Sequence, residues 1–411
     1  MRFAHLADIH LGHEQYHQSW RADDYARAFR EAVEKAVTEN VDFAIIAGDI
    51  FNRSVPNPKA IKDAIDTLSI FKENNIPVFA VEGNHDKTIR EVSIYDLLES
   101  LGLLHVLGLR KKRVESDYVK SESLEGVYLV KGIFDGVEIV GDMYRTSWQL
   151  KKILPYLKAE SDECILILHQ SVKEVVDVGV DTSYELTLSE LPSASYYAMG
   201  HIHAANVYEF DGKYLVYPGS IERYDAKEAS LSITYTDRLY EKEGPKKGFY
   251  VVEDFVPRFV EVESRNIVTA YIEASSGDEA EDKILEVLSR IDAEDIFLAN
   301  ITSKAHIDAA RLNEIASNRA RYARVNYKPF RTSFEEIKVK EESEFFTDFE
   351  LQLLEYLRGG LEESELQAVV QVVREHFGLI EREGAEEKGD VEAERSEGEK
   401  ASLLDFTGGE E

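Results

Sequence analysis

The chain has 411 residues, a single cysteine, and no apolar run long enough to cross a bilayer, which excludes an internal disulfide, predicts no transmembrane helix and implies two or three domains. Its net charge of −31 argues against tight nucleic-acid binding by this chain alone, since such proteins usually present a basic face. Part of the excess is local: residues 381–411 carry 12 Asp/Glu against 4 Lys/Arg, a net of −8 that leaves −23 on the remainder.

Met1-Arg2-Phe3-Ala4 enters a strand at once, leaving no room for a secretory leader, so a cytoplasmic protein is expected. From residue 1 to about 262, apolar strands alternate with helical patterns near 22–39, 58–74, 91–101 and 147–159. The later part is richer in strands (127–133, 137–143, 206–218, 229–236, 248–262). This pattern predicts an α/β sandwich, two packed sheets with helices outside. A second module over 265–338 reads strand 267–274, helix 278–290, strand 296–303, helix 307–318, strand 320–326, and suits a small α/β cap. Two short helices are expected within 343–380. Thr347 and Glu350 form a capping box, and Phe346, Phe349, Leu353 and Leu357 follow at helical spacing before Gly359. Helices this short are marginal alone, so their apolar faces need a partner. Residues 381–411 read as an acidic, disordered tail.

Five polar motifs follow strand-like runs: Asp8-Ile9-His10, Gly48-Asp49, Gly83-Asn84-His85-Asp86, His169, and Gly200-His201-Ile202-His203. Open α/β sheets place ligands at the carboxyl ends of their strands, so these side chains should meet on one rim. Singly, each motif is weak: Asp-x-His is common by chance and Gly-Asp is little more than a turn signal. Together and in order they describe a dinuclear metallophosphoesterase. The donors include no sulfur, which favours Mn²⁺, with Fe²⁺ or Mg²⁺ as alternatives, over a structural zinc site. Two such cations neutralise a phosphate and activate water for in-line attack.

Asp49, alone after its strand, is the best candidate for the carboxylate shared by both ions. Asp8, His10 and His203 would complete one site, and Asn84, His169 and His201 the other. The two sets are near-symmetric, which leaves the pairing of histidines with ions open. His85, left over beside Asn84, is the natural proton donor to the leaving oxygen. Asp86 either orients that imidazole or simply forms the turn. Basic side chains near the motifs include Arg21, Arg53, Lys87, Arg90, Arg223 and the run Arg110–Arg113.

The segments MRFAHLADIHLG, FAIIAGDIF, VFAVEGNHD, MGHIH and VYPGSIER, with the lone His169 between the third and the fourth, resemble the nuclease subunit of the double-strand-break repair complex, the meiotic recombination eleven family in its archaeal form. The likeness covers nearly the whole chain. It implies a calcineurin-like metallophosphoesterase core that cuts DNA with two Mn²⁺ per subunit, as a 3′-to-5′ exonuclease and a single-strand endonuclease. It also implies the same metal ligands, Asp8, His10, Asp49, Asn84, His169, His201 and His203, with His85 as the catalytic histidine. The loop Leu11–Arg21 aligns with a DNA-contacting loop, so His17, Arg21 and Arg53 are the expected DNA contacts. Ile61, Leu97 and Leu101 align with helices that form a homodimer. The helical pair, through Phe346, Phe349, Leu353 and Leu357, would bind an SMC-like ABC ATPase with a coiled coil, the Rad-fifty protein. One departure stands out: related sequences carry a histidine after GDIF, where this chain has Asn52. At the far end, Lys400–Thr407 resembles a sliding-clamp docking peptide, with Leu403 and Phe406 as anchors.

Other dinuclear phosphoesterases, such as protein phosphatases and cyclic-nucleotide phosphodiesterases, share the five motifs, but a plain phosphatase needs no cap followed by a helical pair. A scaffold for the ATPase would not need to keep a complete site.

Overall fold

The fold is described from a computed structural model, over residues 1–88, 92–161, 163–175 and 184–329. The expected helical pair (343–380, with Phe346, Phe349, Leu353 and Leu357), the acidic tail and the 400–407 peptide lie outside the described residues.

Two sheets face each other. The first has six strands in the order Val256–Glu261, Gly248–Glu253, Arg2–Leu6, Phe43–Ala47, Val78–Val81, His105–Val106. The second runs Asn206–Phe210, Lys213–Tyr217, Tyr196–Gly200, Cys164–His169, Val137–Asp142, Val127–Phe134, Gly108–Arg110, with Val119–Leu124 also paired to Val127–Phe134. In the middle of each sheet the strands are parallel and buried on both faces, so they read as continuous apolar runs rather than alternating ones. In Cys164–His169, Ile165 and Ile167 enter the layer between the sheets, while Leu166 and Leu168 join the outer core. Phe3 stacks on Phe43 in that central layer at 4.9 Å, and Tyr196 meets Phe3 edge-on at 5.3 Å. Fully burying a side chain of this size contributes about 1.5–3 kcal/mol.

Helices α1 (Ser19–Thr38), α2 (Pro58–Glu73) and α3 (Ile94–Ser100) cover the outside of the first sheet, and α4 (Ser147–Ile153) covers the second. Helix α2 starts where Asn57 Oδ1 accepts the N–H of Ala60 at 2.8 Å, followed by Pro58 at the first helical position. A capping box of Ser93 and Asp96 opens α3. Residues 206–218, expected as one strand, form a hairpin turning at Asp211-Gly212, both with positive φ.

The third sheet departs from expectation in its membership. Its order is Leu239–Glu243, Leu231–Tyr235, Ile267–Ala274, Ile296–Ser303, Tyr322–Pro329, backed by α5 (Gly277–Leu288) and α6 (Ala309–Ser317). The β-α-β-α-β cap is present, but the hairpin 231–243, assigned from sequence to the 1–262 core, extends its sheet. Leu231–Tyr235 pairs in parallel with Ile267–Ala274, and Ile233 is buried in the cap core. The chain then returns to the first sheet through 248–261 before re-entering the cap, so the two are joined by three crossings.

Candidate metal centre

All five motifs leave parallel strands at the same edge, three from the first sheet and two from the second. The turns are tight and strained. Asp8, His10 and Asp49 sit at φ of 52°, 52° and 53°, and His201 at 93°, conformations that cost non-glycine residues free energy and concentrate at functional sites. Two glycines make the approach possible. A Cβ on Gly48, whose φ is +92°, would lie 2.3 Å from His169 Nδ1, and one on Gly83 would lie 2.0 Å from Asp49 Oδ1.

The donor atoms converge. His10 Nε2 lies 3.0 Å from His203 Nε2, and His203 Nε2 lies 3.9 Å from Asp8 Oδ1. On the other side, Asn84 Oδ1 is 3.0 Å from both His169 Nε2 and His201 Nδ1. Asp49 Oδ2 stands between the sets, 3.2 Å from His169 Nε2 and 3.9 Å from His10 Nε2. Asp8 is nearly as central, with Oδ1 3.9 Å from His169 Nε2. Both of its oxygens, however, accept the His201 N–H at 3.2 and 3.1 Å, whereas Asp49 commits only Oδ1, to the His85 N–H at 2.9 Å. That leaves Asp49 Oδ2 free of main-chain donors and facing both sets.

The electrostatics suit cations. Burial holds His10 well below its ordinary value and pulls His201 down to about 3, so both rings keep a lone pair for a metal. Burial also opposes charge on His169, but the neighbouring Asp49 outweighs it and pushes that imidazole up. Asp8 is pushed up, chiefly by burial. Without a metal the carboxylates therefore hold protons or protonated imidazoles close; a divalent cation would replace those protons. The all-O/N donor set fits such ions, and Asp8–His10–His203 and Asp8–Asp49–His169 each gather three ligand atoms within 4.8 Å of one another. His10, Asp49 and His85 form a third such group. His85 Nδ1 turns to the Asn52 carbonyl at 3.3 Å, a contact that fixes the orientation of the ring.

Residues 1–205 match the calcineurin-like phosphoesterase family model. The chain is 51% identical to a DNA double-strand break repair protein Mre11 of Archaeoglobus fulgidus, over the full length of both. It is 34% identical to the Methanocaldococcus jannaschii Mre11 over 62% of each chain, and 32% identical to that of Sulfurisphaera tokodaii over 51% of this chain and 50% of the relative. The chain belongs to the Mre11 family. The fold class and the resemblance read from the motifs are thus borne out, and this Mre11-family core is the calcineurin-like sandwich expected.

Beside the centre, a cleft of about 740 Å³ runs between core and cap, lined by His13, His17, Arg53 and Tyr224 on one side and Tyr271 and Arg324 on the other. His17 and Arg53 are exposed there. Arg21 is not. It is fully buried, with Nη1 2.6 Å from Asp24, Nη2 3.2 Å from Glu222 and 2.9 Å from the Arg223 carbonyl, and Nε 2.9 Å from Gln15. Proximity in sequence to a loop does not say which way a helical side chain faces, and Arg21 faces inward as structural mortar. Arg223 is likewise buried, and bonds Pro245 O and Ser264. Arg110 is held by Asp96 at 2.6 Å and Glu99 at 3.0 Å. Asp86 does not touch His85: its carboxylate accepts from Gly83 N at 2.7 Å and Tyr95 OH at 2.7 Å, holding the turn.

Sequence reasoning missed three neighbours. Glu228 Oε1 lies 3.2 Å from His203 Nδ1, and its other oxygen pairs with the buried Lys247; such an outer carboxylate fixes the tautomer of a ligating imidazole. Tyr224 packs on His10 and His203, both at 4.6 Å. Tyr144 lies 5.5 Å from His201. Aromatic residues after the GSIER and GDM segments were the available signal.

Proposed function

We propose that this chain is a Mn²⁺-dependent DNA nuclease that processes ends in double-strand-break repair, as a 3′-to-5′ exonuclease and a single-strand endonuclease. The observation that carries this reading is the convergence of Asp8, His10, Asp49, Asn84, His169, His201 and His203 beside a cleft roofed by the cap. Two Mn²⁺ ions, with Fe²⁺ or Mg²⁺ as substitutes, would supply charge neutralisation of the phosphate and activation of water. Asp49 would be shared by both ions, Asp8, His10 and His203 would hold one, and Asn84, His169 and His201 would hold the other. His85, oriented through Nδ1 by the Asn52 carbonyl, presents its other nitrogen to the leaving oxygen and protonates it. His17 and Arg53 meet the DNA backbone from the cleft.

Two copies pair through α2 and α3, where Leu97 and Leu101 are each 41% exposed and Ile61 is half-buried. Phe346, Phe349, Leu353 and Leu357 bind the coiled-coil base of the SMC-like ABC ATPase, the Rad-fifty protein. Residues 400–407 dock weakly on a sliding clamp. No helix among the described residues is long and apolar enough to cross a membrane, which suits work on the chromosome in the cytoplasm. Nucleotide release from linear DNA with Mn²⁺, run beside a phosphopeptide and a cyclic nucleotide, tests the reading. Release confined to DNA is expected; preferential turnover of either small substrate overturns it.

A further inference from the structure

The metal centre has two walls. Tyr224 stands on the cleft side, against His10 and His203. Tyr144 stands on the other, 5.5 Å from His201 and 6.3 Å from His169. The second wall continues outward as a series of aromatic–lysine pairs. Lys87 Nζ lies 5.3 Å from the Tyr144 ring and 3.3 Å from its carbonyl. Tyr144 OH donates to Glu185 at 3.4 Å, and the residue before that glutamate, Tyr184, carries Lys173 Nζ 5.0 Å over its ring. Ser147 Oγ donates to the Tyr184 carbonyl at 3.5 Å, and the next residue, Trp148, holds Lys152 Nζ 3.8 Å from its ring. Trp148 is 59% exposed and Tyr184 40%, an unusual investment of large aromatic surface in water.

The charges are equally selective. Lys151, on the same helix, is paired with Glu190 at 3.3 Å. No carboxylate among the described residues forms an ion pair with Lys87, Lys152 or Lys173. In a chain of net charge −31, three ammonium groups with no carboxylate partner among the described residues, on one path away from a phosphoesterase centre, call for an anionic, flat-faced ligand.

We infer that Tyr144, Tyr184 and Trp148, with Lys87, Lys173 and Lys152, form a track that binds unpaired nucleotides on the side of the metal centre away from the cap. This rests on the nuclease reading and extends it: the cleft takes the duplex side of an end, and the track takes the displaced or cut single strand. Bases stack on the rings without regard to sequence, and the lysines follow the phosphates. Duplex DNA, whose bases are already stacked, gains nothing from the rings, so the track discriminates strand state.

The test compares full-length wild type, Trp148→Ala and the double variant Lys152→Gln/Lys173→Gln. A fluorescein-labelled oligothymidylate and a blunt duplex are titrated by anisotropy, with Ca²⁺ in place of Mn²⁺. Loss of one stacked base is expected to weaken oligothymidylate binding about tenfold, with blunt-duplex affinity and Mn²⁺-dependent duplex trimming held within about twofold. The lysine pair should flatten the salt dependence of single-strand binding by nearly 1.4 in logarithmic slope, at roughly 0.7 per phosphate contact. Unchanged oligothymidylate binding, or equal loss on both substrates, overturns the track and leaves Trp148 to a protein contact. If wild type cuts no DNA with Mn²⁺ yet binds oligothymidylate through Trp148, the nuclease reading fails and the track stands.

Discussion

Replacing Arg21 with alanine is expected to destabilise the fold while leaving the DNA affinity of the folded protein intact. The guanidinium is fully buried and makes four hydrogen bonds, to Gln15, Asp24, Glu222 and the Arg223 carbonyl. Removing one partner from a buried ion pair typically costs about 3–5 kcal/mol, because the opposite charge is left stranded. Here the lower end applies. Asp24 keeps two bonds from Arg265, at 3.1 and 2.6 Å, and Glu222 keeps main-chain N–H donors from Arg223 at 2.8 Å and Arg265 at 3.1 and 3.0 Å. A loss of about 3 kcal/mol corresponds to a fall in melting temperature of roughly 6–12 °C. Scanning calorimetry gives that number, and DNA binding measured well below the transition gives the second.

Acid should narrow the difference. Burial alone would raise Asp24, but the bonds from Arg265 and Arg21 outweigh it and hold the carboxyl below its ordinary 3.8. A depressed carboxyl stabilises the fold above its unfolded value and loses that contribution as pH falls through the folded one. The gap between wild type and Arg21→Ala is therefore full above about pH 4 and shrinks below it. A variant that melts with wild type but loses DNA affinity would mean that Arg21 reaches the phosphate backbone after all.

His85→Ser should lose cleavage by at least about a hundredfold while retaining both metal ions by elemental analysis, whereas Asp49→Ala should lose metal; equal loss in the two would make His85 a ligand. Asn52→His should raise exonuclease turnover with little change in single-strand endonuclease action, because asparagine cannot carry a proton or positive charge at neutral pH; parallel changes in both assays would count against it. Arg53→Ala should weaken binding to all DNA sequences alike and reduce the salt slope by about 1, with an unaltered melting temperature, and an unchanged slope would remove Arg53 from the interface. Replacing Phe349 and Leu353 with Asp should abolish co-purification with the ATPase yet spare nuclease activity of the isolated chain; an undisturbed complex would sink that assignment.

The rim was legible because its determinants are local. The first donor of each motif either ends its strand, as His169 does, or follows it by one to three residues, and a parallel strand buried on both faces announces itself as an apolar run, as in FAIIA and CILILH. Whatever depends on contact across long separations was not. Leu231–Tyr235 alternates like any strand, and only its pairing with Ile267–Ala274 places it in the cap. Arg21 lies on α1 next to the loop expected to contact DNA, but the carboxylate that captures it, Glu222, is two hundred residues away. Glu228 lies in a short turn with no strand before it, so nothing local ties it to His203. Asp86 shows the converse: it looks chemical in the sequence, and its two oxygens are spent on Gly83, Phe51 and Tyr95.

These placements also resolve how so acidic a chain can handle a polyanion. Arg21, Arg223 and Arg110 are among the basic residues that sequence proximity favoured, and all three are consumed by internal carboxylates and carbonyls. Two histidines of the centre, His10 and His201, add no charge, since burial keeps them neutral. Asp49 and His169 face each other at 3.2 Å and spend their opposite charges on one another, and burial pushes Asp8 up, so these groups offer a phosphate no spare positive charge. Divalent cations would supply that charge, at one point rather than over a face. Affinity for DNA would then be tied to metal occupancy before any bond is broken, with Arg53 and Arg324 in the cleft and Lys87 beside Tyr144 steering direction more than adding strength.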